Sequence, residues 1–77
     1  MMETCLEYVD LTNAHLNLGD RVAWVPEWSR WCASDSNPTD CTGTVVGTPC
    51  MPGWLVVEWD NGEYNTYKLK DQDLLKV

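Results

Sequence analysis

Trp54-Leu55-Val56-Val57-Glu58-Trp59-Asp60-Asn61-Gly62-Glu63-Tyr64-Asn65-Thr66-Tyr67-Lys68 is the stretch on which the fold turns. Its first six residues are mostly strong β formers. Their period-two alternation sets Leu55, Val57 and Trp59 on one face and Trp54, Val56 and Glu58 on the other, so both faces carry apolar groups. Asp60-Asn61-Gly62-Glu63 then supplies the Asn-Gly hairpin signal, because a type I′ turn needs positive φ at two residues that Asn and Gly tolerate. Tyr64 to Lys68 is therefore expected to pair back on Trp54 to Trp59.

Working outward, Gly19-Asp20 opens the run Arg21-Val22-Ala23-Trp24-Val25, rich in β formers and stopped by Pro26. Thr44-Val45-Val46 reads as a second short strand, followed by a turn at Pro49 and Pro52-Gly53. Leu69 to Asp73 reads as a short turn or a single 3₁₀ turn, and Leu74 to Val77 as a closing strand. Glu27 to Cys41 has no period, and its Ser, Asp, Asn and Pro content marks a long loop after the first strand. The prediction is a mostly β, five-stranded small barrel over residues 18–77, with closure protecting the strand edges. Residues 1–17 are read as an N-terminal extension in which Leu6, Val9 and Leu11 form an added edge strand or a short helix.

At 77 residues the chain has room for one domain, too small to bury a deep catalytic pocket. Five Trp and three Tyr with no Phe supply packing bulk that also suits binding surfaces. A net charge of -7 opposes the counterion release that drives nucleic-acid binding and repels anionic membranes. It favours a protein partner with a basic surface, and direct nucleic-acid or membrane binding is not expected. Neither a long apolar run nor a signal-peptide pattern is present, which reads as a cytoplasmic protein. Cys5, Cys32, Cys41 and Cys50 are then expected to be reduced thiols, and with no closely spaced Cys pair a zinc site is not expected.

Leu18 to Val77 resembles the mind bomb/HERC-type (MIB/HERC) domain, an SH3-like barrel found in certain large ubiquitin ligases. The matching pieces run in order: Gly19 with Val22, Pro26-Glu27-Trp28, Gly43-Thr44-Val45, Val57-Glu58-Trp59-Asp60-Asn61-Gly62, Asn65-Thr66-Tyr67-Lys68 and Asp73-Leu74. The resemblance implies a peptide- and protein-binding module without catalytic residues of its own. Cys32 to Cys41 stands where that family has a Gly-rich stretch, so ligand specificity is not carried over through this loop. No ligase domain is attached, and a ubiquitin-transfer role is not implied.

Trp28 and Trp31 lie where the first strand gives way to the long loop, and they read either as an aromatic platform for an extended ligand or as rings that cover one open end of the barrel. With them, Asp35 and Asp40 in the loop and the partly exposed Trp54 and Tyr64 make up the expected partner-binding residues. Trp59, Trp24 and Tyr67 are expected in the core. His15, the lone histidine, sits in a polar stretch and reads as a solvated side chain, and no motif pairs it with a nucleophile. No catalytic residue, metal or cofactor is expected.

The functional expectation is a non-enzymatic protein-binding module. Beginning at its own Met1 and ending at Val77, the chain reads as a whole small gene product. A phage or mobile-element accessory protein that inhibits or bridges a host protein has this character. The alternative is an acidic nucleic-acid mimic that blocks a DNA-binding enzyme. Partner identity and oligomeric state are not legible in the sequence.

Overall fold

The computed structural model describes residues 12–47 and 52–77. The readings of residues 1–11, including Leu6, Val9, Leu11 and Cys5, and of the turn at Pro49 with Cys50, lie outside the described residues. A 3₁₀ turn, η1 (Asn13–His15), precedes five strands: β1 (Arg21–Trp24), β2 (Gly43–Gly47), β3 (Trp54–Trp59), β4 (Tyr64–Lys68) and β5 (Leu74–Lys76). All neighbours are antiparallel, in the order β4-β3-β2-β1-β5. The protein is mostly β, as expected, and its strand order is consistent with an SH3-like barrel. The sheet is not closed, because β4 and β5 form its two edges and share no ladder.

The alternation read from β3 decides the core. Leu55, Val57 and Trp59 are buried, and Val22, Trp24, Val45, Tyr67 and Leu74 join them from the other strands. Trp59 meets Tyr67 edge to face, with ring centroids 6.3 Å apart. Trp59 also requires that its neighbour on β2 have no side chain. Gly43 stands opposite Trp59 in the register, and a Cβ there would lie 2.6 Å from the Trp59 ring and 2.8 Å from the Glu58 carbonyl oxygen. Further along β2 the register slips between Val45 and Gly47, a bulge that bends the sheet over this core.

The central hairpin forms where expected, but its turn is of another kind. Trp59 N–H bonds Glu63 C=O and Gly62 N–H bonds Trp59 C=O, so three residues, Asp60, Asn61 and Gly62, make the loop. Only Gly62 has positive φ, at 92°. This is a type I turn ending in a glycine bulge, not the expected type I′ turn, because Asn61 keeps negative φ and uses its Oδ1 to accept Glu63 N–H at 2.9 Å. On the outer surface Asp60 takes a two-pronged contact from Arg21 at 2.6 and 3.0 Å, while Thr42 and Thr44 accept from the same guanidinium. Arg21 holds the Asp60 carboxyl below the ordinary carboxylate range. In water such a pair adds little stability, and its role here is to fix the hairpin corner against β1.

The segment before β1 belongs to the same core. Leu16 is buried in it, and Asn13 is 0 % exposed. Asn13 sits in the gap between the two sheet edges. Its Nδ2 donates to Lys68 C=O at the end of β4, at 2.8 Å. Its Oδ1 accepts the N–H groups of Asp73 and of Leu74, at the start of β5, both at 3.2 Å. Its own N–H donates to Asp71 C=O at 2.7 Å. One side chain thus spans the seam at the point where a closed barrel would need a β4 to β5 ladder.

Candidate functional site

The loop between β1 and β2 is ordered by polar contacts to the hairpin. Pro26 to Trp28 forms one turn. Ser34 and Asn37 form another by exchanging two backbone hydrogen bonds at 3.1 Å. This second turn is latched onto β4. The Tyr67 hydroxyl donates to Asn37 Oδ1 at 2.6 Å, and Asn65 Nδ2 donates to Asn37 Oδ1 and Ser36 C=O, each at 3.0 Å. Asn61 Nδ2 reaches Asp35 C=O at 2.9 Å. Burial pushes the Tyr67 phenol from the ordinary 10 up to about 12.

The latch predicts alkaline behaviour. A group whose folded pKa is raised contributes stability that is fully present below its unfolded pKa, near 10 here, and lost as pH rises through about 12. Absorbance titration should show one phenol ionising about two units above a free tyrosine, with tertiary structure lost over the same range. Ionisation of all tyrosines near pH 10 with the fold retained would contradict the latch.

Holding this loop against β4 opens a groove of about 310 Å³. It is lined by Arg30, Trp31 and Asn37 of the loop, by Asn65, Thr66, Tyr67 and Lys68 of β4, and by Trp54, Asp71 and Asp73. Trp31 is 59 % exposed, an indole left largely in water. Trp54 is half-buried, and Lys68, its cross-strand partner, places Nζ 5.5 Å from the ring centroid. Two cations, Arg30 and Lys68, and two carboxylates, Asp71 and Asp73, line the groove. Asp73 is 4 % exposed, and its burial raises the carboxyl pKa, as does Asp71, while Arg30 and a hydrogen bond from Ser29 oppose the rise.

Of the residues expected to bind a partner, Trp31 and Trp54 come together in this groove. Trp28, 39 % exposed, lies in the turn before it and does not line it. Asp35 and Asp40 are exposed on the loop, and Tyr64 is exposed near the far end of β4, all outside the groove. Of the latch residues, Asn61 was read only as a turn residue, Asn65 only as part of the motif Asn65-Thr66-Tyr67-Lys68 and Asn37 only as loop content, so the latch itself was missed. Asn65 carried a readable signal, since Asn is depleted within strands unless its side chain has a task.

Among the described residues no group of three His, Cys, Asp or Glu side chains could hold a metal ion. Cys32 and Cys41 are free thiols. His15 is exposed, with its Nδ1 hydrogen-bonded to Thr12 C=O. No helix among the described residues is long and apolar enough to cross a membrane. No family model matches the sequence, and no curated protein matches it either.

Proposed function

We propose that the chain is a non-enzymatic protein-binding module that docks a partner in the groove between Trp31 and Trp54. The observation that carries this reading is Trp31. A large indole held mostly in water beside a second indole, on a loop fixed by buried hydrogen bonds, has the make-up of a binding hot spot. The resemblance to the mind bomb/HERC-type domain points the same way. The reading places the module in the cytoplasm, where the free thiols of Cys32 and Cys41 are stable. In the setting of a phage or mobile-element accessory protein, docking would block or bridge a host protein.

Trp31→Ala is the direct test. It removes a largely solvated ring, so the melting temperature should move by no more than the equivalent of about 0.5 kcal/mol. Affinity for a partner recovered by pull-down from the native cell should fall by about 2 kcal/mol, roughly thirtyfold. Affinity unchanged by Trp31→Ala and by Trp54→Ala, yet falling steeply with salt, would instead favour the acidic nucleic-acid mimic.

A further inference from the structure

Among the described residues β4 is an edge of the sheet, with a strand ladder on one side only. The bonds from Trp59 N–H to Glu63 C=O and from Leu69 N–H to Gly53 C=O fix the phase of its ladder with β3. By that phase Asn65 and Tyr67 turn their backbone groups toward β3, and Tyr64, Thr66 and Lys68 turn theirs outward. Two of these outward groups are already used. Thr66 N–H donates to Asn65 Oδ1 at 2.8 Å. Lys68 C=O accepts from both Asn13 Nδ2 and Asp71 N–H, which fills its two lone pairs. Thr66 C=O and Lys68 N–H have no partner among the described residues.

The groove lies along this edge. Successive side chains of a strand point to opposite faces, so a hollow over one face would be lined by every second residue. Asn65, Thr66, Tyr67 and Lys68 line the groove in unbroken succession, which sets it against the strand's rim.

We infer that the occupant of the groove is an extended segment of the partner protein, added to β4 as a parallel strand with one residue opposite Tyr67. The inference rests on the docking reading above and deepens it. In a parallel ladder a residue opposite Tyr67 donates its N–H to Thr66 C=O and accepts from Lys68 N–H at its C=O. Those are the two open groups of the stretch of β4 that lines the groove; the N–H and C=O of Tyr64 also face outward, but Tyr64 lies outside the groove. Within the groove an antiparallel pair would need both the N–H and the C=O of Thr66, or both of Lys68, and one of each is occupied; the one residue with both groups open, Tyr64, lies beyond the groove. Backbone bonds would supply direction and register, and the side chains flanking the docked residue would meet Trp31 or Trp54.

The test uses a random-peptide library displayed on phage and selected against the full chain, with the best peptide then synthesised. The Lys68 amide should exchange rapidly in the free protein and be protected at least about tenfold in the complex. Lys68→Pro removes an N–H that bonds nothing among the described residues, so it should keep the fold yet bind the peptide at least about tenfold more weakly than Lys68→Ala. Single N-methylation along the peptide should abolish binding at one position and spare its immediate neighbours. If Trp31→Ala weakens binding while the Lys68 amide stays unprotected, or Lys68→Pro binds like Lys68→Ala, strand addition is overturned and docking in the groove stands. If no selected peptide loses affinity on Trp31→Ala, the docking reading falls and this inference falls with it.

Discussion

Gly43→Ala should lower the melting temperature by roughly 15 °C, a loss of about 3 kcal/mol. The added methyl would stand 2.6 Å from the Trp59 ring, 2.8 Å from the Glu58 carbonyl oxygen and 2.9 Å from a Val57 methyl. A flexible side-chain tip could move aside, but Trp59 is buried in the core and the Glu58 carbonyl belongs to the strand backbone. Relief therefore requires β2 and β3 to separate, which breaks the pairing on which the sheet depends. A domain of this size has only about 4 to 11 kcal/mol in total, so the variant should be partly unfolded at body temperature. Combining it with Trp59→Phe should recover only part of the loss, because the backbone contact remains. A melting temperature lowered by less than about 4 °C would mean that the two strands can part locally without cost.

Asn13→Ala should cost about 3 to 4 kcal/mol, although Asn13 carries no apolar surface worth burying. Truncation leaves the N–H groups of Asp73 and Leu74 buried without an acceptor and takes one of two donors from Lys68 C=O. Asn13→Asp separates this account from a simple packing defect. A carboxylate can still accept both N–H groups, but it is fully buried close to Asp71 and Asp73 and cannot donate to Lys68. Burial raises its pKa, so the variant should be weakest near neutral pH and regain stability as pH falls through the raised value and the acid form supplies an O–H donor. Chemical denaturation at two pH values would show it. Equal losses at both pH values, or a loss from Asn13→Ala below about 1 kcal/mol, would contradict a bridging role.

The hairpin was legible because Trp54 to Trp59 alternates cleanly and Asn61-Gly62 marks a reversal. The turn type was not, because Asn-Gly serves either a two-residue loop or the second half of a three-residue one, and the choice depends on the register of the flanking strands. The expected closed barrel gave way to an open sheet for a related reason. Nothing local to Asn13, one polar residue among several near the chain start, signals partners 55 to 61 positions away. Trp31 stood out because its ring has no place in an alternating pattern. Its meeting with Trp54 depends on how the loop is latched, and two of the latching asparagines, Asn37 and Asn61, look in a sequence like ordinary loop and turn residues.

The seam has a consequence for how the protein is made. During synthesis Asn13 leaves the ribosome long before Leu74 does. Until then its carboxamide has no backbone to grip, and β1 lacks the neighbour that covers one of its edges. Early hairpins can form on the emerging chain, but the last contacts to be satisfied join its opposite ends, and long-range closure of that kind is slow. A nascent chain that stalls before residue 74 would therefore leave one edge of β1 open as well as the outer edge of β4, two sticky rims that a finished molecule shows only in part.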